Sequence, residues 1–285
     1  MSSATAGGIP AIGDPGRAAL EVGPGAPVRH PDSADHELSE CAVPGAQVRA
    51  ASVRGLLHRH RSQPRQDRYS VVYDEASALL VVTVCDGVGQ FSLSHEAAGF
   101  VAAAAPRAYL DQGDWNLAVG EVNERLGRFA AEAPERSRLD QAPADARMAT
   151  TLAGAAIGLA PGQRKASIAW TDDTSIWLLN SGEWTNLTPD PLDDDAAGVH
   201  TGRVRALPSA EPRVFVAEVP AETGALFVLT DGIGVPLEGA RQVRETLAEW
   251  WAEPPDVFTF ARQVGFARRG HMDDRTAVGV WFSPL

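Results

Sequence analysis

The chain has little cysteine, little positive charge and no long apolar run, and each shortage excludes something. Cysteine occurs twice in 285 residues, at Cys41 and Cys85. One lies in a polar, proline-bearing region and the other in an apolar run, so no disulfide framework is expected; a reducing, cytoplasmic setting fits. Lys and Arg number 25 against 37 Asp and Glu, a net charge of −12, which opposes a nucleic-acid or membrane-surface partner. No stretch reaches the roughly 18 apolar residues of a bilayer-spanning helix, and the N-terminus shows no charged-then-apolar signal pattern. No Cys/His cluster has the spacing of a zinc site, and there is no internal repeat. With 44% hydrophobic and 22% charged residues, the rest is an ordinary globular composition, enough for one large domain or two small ones.

What is present falls into two parts. Residues 1–45 are rich in Ala, Gly, Pro and Ser without a period of 2 or 3.6, and read as a flexible leader. Order is expected from Gln47, beginning with a strand over 48–57 that is interrupted at Gly55. A polar, basic loop, His58 to Asp67, leads to a strand over 69–73 and a third over 79–85. Two helices follow, from Ser92 or Ser94 to Leu110 and from Trp115 to Ala131, the second with Leu117, Val122, Leu126 and Phe129 on one face. Residues 134–147 are a polar connection. Strands then fit 150–159, 165–170 and 175–179, with a turn at Asn180-Ser181-Gly182. Residues 186–212 read as an irregular excursion. Strands at 214–219 and 225–229, helices at 240–251 and 255–266 and a last strand at 276–282 complete the chain. Strands in blocks, with paired helices between them, predict an α+β domain with helices outside packed sheets.

The organising stretch is Leu79 to Gly89, an apolar run that ends in Cys85-Asp86-Gly87-Val88-Gly89. A buried strand delivers Asp86 to a lip where glycines admit close backbone approach. The design recurs at Leu226 to Gly232, which delivers Asp231. Asp-Gly alone is an ordinary turn dipeptide. However, Asp67, Asp86, Asp173, Asp231 and Asp273 (with Asp274 beside it) all lie at strand boundaries. Carboxylates gathered at one sheet end would repel one another without a cation, and hard divalent ions such as Mg²⁺ and Mn²⁺ take oxygen ligands. The constellation therefore reads as an oxygen-ligated metal site for one or two ions, able to activate a water and clamp a phosphoryl oxygen.

These residues resemble the metal-dependent serine/threonine phosphatases of the PP2C (PPM) type, in their bacterial branch. The resemblance covers about residues 47–285. His58 through Gln66-Asp67 resembles the first motif, and Cys85-Asp86-Gly87-Val88-Gly89 the Asp-Gly-x-Gly metal motif. Thr150-Thr151-Leu152 is similar to Gly-Thr-Thr-Leu, and 168–182 to a strand–Gly-Asp-Ser-Arg–strand hairpin. Thr230-Asp231-Gly232 resembles Ser-Asp-Gly, and Asp273-Asp274-Arg275-Thr276 resembles Asp-Asn-x-Thr. The resemblance implies a four-layer αββα fold, a central antiparallel β-sandwich flanked by helices, over residues 46–285. It implies hydrolysis of phosphomonoesters by a metal-activated water at a binuclear centre. Asp86 would bridge two Mn²⁺ or Mg²⁺ ions and the Gly87 carbonyl would bind one. Asp67, Asp231 and Asp273 would hold the ions directly or through water, and Asp173 would support a third. Residues 186–212 would form the flap beside the cleft. The implied partners are a phosphoprotein substrate and a Ser/Thr kinase counterpart, with the enzyme a monomer.

Several positions depart from the family pattern. Gln90 replaces a glycine, Asp172-Asp173-Thr174-Ser175 replaces Gly-Asp-Ser-Arg, and Asp274 replaces Asn. The phosphate-binding arginine falls on Ser62, leaving Arg61, Arg59 or Arg65 to reach a phosphate. Val88 stands where eukaryotic relatives carry histidine, so His58 and water are the candidates for general acid, with a structural role for His58 weighed beside it. Three functions remain open: a protein serine/threonine phosphatase, a small-molecule phosphatase with the same site, and a non-catalytic phosphoprotein-binding pseudophosphatase. The Trp residues at 170, 177, 184, 250 and 251 read as packing.

Overall fold

Both faces of the two most apolar strands are buried, and alternate residues face different layers. In the computed structural model, Leu80, Val82 and Val84 pack between two sheets, while Val81 and Cys85 pack under helices. Likewise Leu226 and Val228 face the opposite sheet, and Phe227 and Leu229 face a second helical layer. This is the period-2 alternation of a strand with apolar partners on each side. The structure describes residues 5–6, 9–21, 34–88, 92–132, 148–160, 164–188, 205–221 and 223–283.

In chain order the elements are β1 (Thr5–Ala6), β2 (Ile9–Pro10), α1 (Ala18–Glu21), β3 (His36–Val43), β4 (Ala46–Val53) and α2 (Leu56–Arg61). Next come β5 (Arg68–Asp74), β6 (Leu79–Cys85), α3 (Ser94–Gln112), α4 (Trp115–Glu132), β7 (Ala153–Gly158), β8 (Lys165–Trp170), β9 (Ser175–Asn180) and β10 (Glu183–Asn186). The chain closes with β11 (Phe215–Pro220), β12 (Ala225–Leu229), α5 (Asp231–Gly239), α6 (Arg241–Trp250), α7 (Val257–Val264) and β13 (Arg275–Phe282). One sheet has six strands in the order β10-β9-β12-β13-β4-β3, and the other five in the order β11-β8-β7-β6-β5. Their pairings are antiparallel. Helices α3 and α4 cover the five-stranded sheet and α5 to α7 the six-stranded one, which gives the expected four layers.

The fit of α3 to its sheet rests on small residues and one compensation. Ala97, Ala98, Ala102, Ala105 and Ala108 let the helix approach β6 closely. Pro106 lies inside α3 and has no N–H, so the carbonyl of Ala102 loses its helical donor. The buried Thr83 hydroxyl of β6 donates to that carbonyl at 3.0 Å. On the other face, Phe227 stacks on Trp251 with ring centroids 5.0 Å apart, and Trp281 Nε1 donates to the Trp251 carbonyl at 2.8 Å. The β9–β10 hairpin turns at Ser181 and Gly182, both with positive φ, the geometry of a two-residue type I′ turn.

Five local expectations change. Order does not wait for Gln47: His36–Val43 is an edge strand on β4, and Ile12 is buried with its N–H on the Ala267 carbonyl. The first strand ends at Val53, and His58 to Arg61 are helical, started at Leu56 beyond the Gly55 N-cap. Elements not expected are present, among them β1, β2, α1, α5 and β10. Leu117 is exposed while Val122 and Leu126 are buried, so the apolar face of α4 excludes it. The connection at 134–147, Gln90 and most of the 186–212 excursion lie outside the described residues. The far end of that excursion is tied down: Leu207 pairs with Thr150, and Asn123 clasps the Ser209 backbone at both its N–H and its carbonyl.

Replacing Thr83 by Val keeps the shape but leaves the Ala102 carbonyl without a donor, at an expected cost of about 1–3 kcal/mol. In a Pro106→Ala background the helical N–H returns, and the same replacement should cost less. Urea unfolding of the four-member mutant cycle measures both.

Candidate metal centre

β6 and β12 belong to opposite sheets and run out at the same end of the sandwich, which is what brings Asp86 and Asp231 together. Carboxylate oxygens of Asp86, Asp231 and Asp173 all lie within 4.8 Å of one another. Asp173 reaches this point from the turn between β8 and β9. The backbone beneath Asp86 is anchored, its carbonyl accepting from Thr150 Oγ1 at 2.7 Å and from the Thr151 N–H at 2.8 Å. Gly87 sits in a close cradle, where a Cβ would come 2.9 Å from the Ser94 carbonyl and 3.0 Å from that of Gln66. Asp231 opens α5, where the helix dipole favours a carboxylate. The following Gly232 is required by contact, because a Cβ there would lie 2.0 Å from the Asp274 carbonyl oxygen.

The electrostatics of this end are adverse without a cation. Burial, followed by the charge of Asp67 and then Asp231, pushes the Asp86 carboxyl well above the usual range. Burial and Asp273 push Asp231 up in the same direction, opposed by a hydrogen bond with Asp86, the Gly232 N–H and Arg275. Asp173 is the exposed member, yet lost hydration of its carboxyl, followed by the charges of Asp231 and Asp172, pushes it to about 7. Carboxyls that would take up protons when left alone are the groups a divalent cation stabilises in ionised form. The donors are carboxylate oxygens, with no sulfur and no imidazole in the trio, a set suited to Mg²⁺ or Mn²⁺. The residues therefore fit the implied metal.

A second group lies behind the first. Asp274 is buried and its two oxygens are fully used: Oδ1 accepts from the Gly55 N–H and Oδ2 from the Gln66 N–H, both at 2.6 Å. His58 Nδ1 lies 2.9 Å from Asp274 Oδ1 and 3.9 Å from Asp273 Oδ1. Burial opposes charge on both Asp274 and His58. The His58 contact, with the two amides, nevertheless holds Asp274 below the usual carboxylate range, and Asp274 with Asp273 lifts His58 above its usual value. The contacts form a clasp joining α2 and the β5 entry to the start of β13. Asp67 is buried beside it, and its Oδ2 accepts from Thr230 Oγ1 at 2.8 Å. Thr230 Oγ1 in turn accepts from the Thr276 N–H at 3.0 Å.

The structure thus groups Asp86, Asp173 and Asp231 with Gly87 beside them, and places Asp273 next to His58 and Asp274. Asp67 is buried, its Oδ2 on Thr230, and its charge acts on Asp86. His58 is buried with Nδ1 2.9 Å from Asp274 Oδ1. Arg61 is exposed in the last turn of α2 and makes no ion pair among the described residues. Arg65 is committed elsewhere, with its guanidinium on Glu37 and on the Ser52 and Asp67 carbonyls. Arg59 donates to the Arg54 carbonyl. Sequence reasoning missed Asp274, Thr230 and Arg275 as site residues. Arg275 is buried, lies over the Phe266 ring at 4.8 Å, and is a cation close to Asp273 and Asp231. Its only signal was its place next to Asp273-Asp274.

Comparison with known proteins agrees with this fold. Solved structures of bacterial serine/threonine phosphatases share the fold. A Streptococcus agalactiae serine/threonine phosphatase superposes with a TM-score of 0.60 at 18% identity, covering 87% of this chain and 100% of its own. The Mycobacterium tuberculosis serine/threonine phosphatase PstP/Ppp gives 0.60 at 20% identity, covering 84% and 99%. The Ser-Thr phosphatase MsPP of Mycobacterium smegmatis, solved with cacodylate, gives 0.55 at 19%, covering 83% and 98%. No curated protein sequence matches the chain. The family described as Protein phosphatase 2C matches residues 54–259, and the chain belongs to it. That family consists of metal-dependent phosphoric monoester hydrolases acting on phosphoserine and phosphothreonine.

Asp274→Asn places an amide NH₂ against a backbone N–H, because both carboxylate oxygens already accept. The expected cost is about 1–3 kcal/mol of stability. In metal-free protein the His58 pKa should fall, since burial remains while the charge that raised it is gone. Imidazole NMR titration and chemical unfolding check the two effects separately.

Proposed function

We propose that this chain is a protein serine/threonine phosphatase whose catalytic centre is the carboxylate cluster at the sandwich end. The observation that carries the proposal is the convergence of Asp86, Asp173 and Asp231 within 4.8 Å. Asp86 and Asp231 would hold two Mn²⁺ or Mg²⁺ ions, with Asp273 and the Gly87 carbonyl completing the set and Asp67 contributing directly or through water; Asp173 would support a third. Bound there, such ions lower the pKa of a water and neutralise phosphoryl oxygens, the two demands of phosphomonoester hydrolysis.

This chain's own residues do the positioning. The Thr150 and Thr151 contacts fix the Asp86 backbone, and the Asp274 clasp fixes Asp273 and, through Gly232, the start of α5. Arg61 is the exposed cation nearest in sequence to the family's phosphate-binding position and is assigned to the substrate phosphate. The general acid is a water, since His58 is taken up by Asp274. The substrate is a phosphoprotein, with a Ser/Thr kinase as counterpart, and the working form is a cytoplasmic monomer whose domain includes β3.

A small-molecule phosphatase would use the same site, so the substrate class needs its own comparison. p-Nitrophenyl phosphate should be hydrolysed only with Mn²⁺ or Mg²⁺, and Asp86→Ala or Asp231→Ala should lower the rate by at least about a hundredfold. Near-normal turnover in both variants would sink the assignment. Phosphopeptides should outpace phosphorylated metabolites; the reverse order would establish the small-molecule reading. Metal binding by calorimetry without any phosphate release would establish a pseudophosphatase.

A further inference from the structure

Asp273 has little side-chain support of its own. The Asp86 backbone is pinned by Thr150 and Thr151, Asp231 is carried by α5, and Asp67 is held by the Thr230 hydroxyl. The Asp273 side chain, by contrast, is 51% exposed. Among the described residues its carboxylate accepts one hydrogen bond, from the Asp274 N–H at 2.9 Å. Its place is therefore set by its backbone, which arrives from the loop between α7 and β13. A loop holds one conformation only when its own N–H and C=O groups find partners.

Residues 10–14 supply those partners from the far end of the chain. The Ala267 N–H donates to the Pro10 carbonyl at 2.8 Å, the Ile12 N–H to the Ala267 carbonyl at 3.1 Å, and the Arg269 N–H to the Asp14 carbonyl at 2.7 Å. Arg268 Nη1 donates to the Ile12 carbonyl at 3.2 Å, and Arg269 Nη1 to the Asp14 carboxylate at 3.4 Å. The segment is itself fastened. Ile12 is buried in the same core cluster as Val243 and Leu247 of α6, and Ala19 of α1 packs with Leu56 of α2 and with Ala267. At its other end the loop meets α2, where the Leu57 N–H donates to the Met272 carbonyl at 3.0 Å. The stretch from Ala267 to Met272 is thus held at its first three residues by residues 10–14 and at its last by α2, and Asp273 follows at once.

We infer that residues 9–16 are a positioning strap for the metal centre: by completing the backbone hydrogen bonds of Ala267 and Arg269 they fix the loop that presents Asp273, and so set the affinity for the ion that Asp273 holds. The inference rests on the reading of Asp273 as a metal ligand. The strap acts on that ion selectively, because Asp86, Asp173 and Asp231 are carried by other segments, β6, the β8–β9 turn and α5. Displacing residues 9–16 would therefore weaken one metal position from outside the cleft.

Mn²⁺ calorimetry on the full chain, paired with amide exchange of the metal-free protein, tests this. Asp273→Ala first marks which binding step belongs to Asp273. Two variants then loosen the strap. Ile12→Asp places a carboxylate in the apolar core. Gly16→Val puts a Cβ 3.3 Å from the Arg269 Cα, at a φ of 71° that a branched side chain resists. In both, the Asp273 step should weaken about tenfold while the remaining step is unchanged. The amides of Ala267 and Arg269 should also exchange faster before any metal is added. Leu126→Ala is the control: it opens a cavity in the separate core cluster under α3 and α4, lowers stability in urea, and should leave both steps unchanged. Circular dichroism confirms that each variant folds, and Gly16→Val, altered outside the core, serves if Ile12→Asp does not. Unchanged affinity at the Asp273 step in a folded strap variant, or an equal loss in Leu126→Ala, would overturn the inference. Absence of any Mn²⁺ binding by the unaltered chain would overturn the metal assignment itself, and the strap's role with it.

Discussion

Mutual repulsion of carboxylates is the constraint around which this protein is arranged. Three aspartate side chains converge at one end of a sandwich, Asp67 and Asp274 lie buried near them, and only Asp173 is exposed to water. Such a cluster stays ionised only when cations are supplied. The fold meets the cost in two ways. It gathers oxygen donors in the Asp86, Asp173 and Asp231 trio, which a divalent ion can satisfy, and it sets basic side chains beside the others, His58 against Asp274 and Arg275 near Asp231 and Asp273.

The second group explains how the first keeps its shape. Asp274 ties the segment before α2, the Gln66 amide and the His58 ring to the start of β13, four positions far apart in the chain. Because Gly232 packs against the Asp274 carbonyl, the same residue seats the start of α5 and hence Asp231. The family's Asn position is an Asp here, and it accepts from the Gly55 and Gln66 amides with the buried His58 ring 2.9 Å away. Thr230 similarly joins Asp67 to β13 with a single hydroxyl.

What could be read locally depended on how strongly each segment announces itself. β6 and β12 were legible because they are buried on both faces and end in Asp-Gly. The hairpin at Ser181-Gly182 was legible from its turn residues. β3 was not, because an edge strand with mostly exposed side chains carries no apolar period, and its ladder with β4 is what makes it a strand. α2 spans six residues, four of them His or Arg, too short and too polar for a periodic signal. α5 contains two internal glycines and a proline, so its propensity argues against it; Ile233 and Leu237 packed in the core hold it in place.

The sequence by itself determined which residue types could do chemistry and at which strand ends they would emerge: Asp86 and Asp231 after apolar runs, Asp173 in a turn, Asp273 before the last strand. It also carried the family relationship, since ordered short motifs survive low overall identity. Only the tertiary structure decided how those residues divide. It set Asp86, Asp173 and Asp231 together, put Asp67 on the Thr230 hydroxyl and grouped His58 with Asp273 and Asp274. The physical reason is the same in each case. Strand period and turn chemistry act over a few residues, whereas desolvation, charge pairing and hydrogen-bond satisfaction depend on groups that meet only after the two sheets have packed.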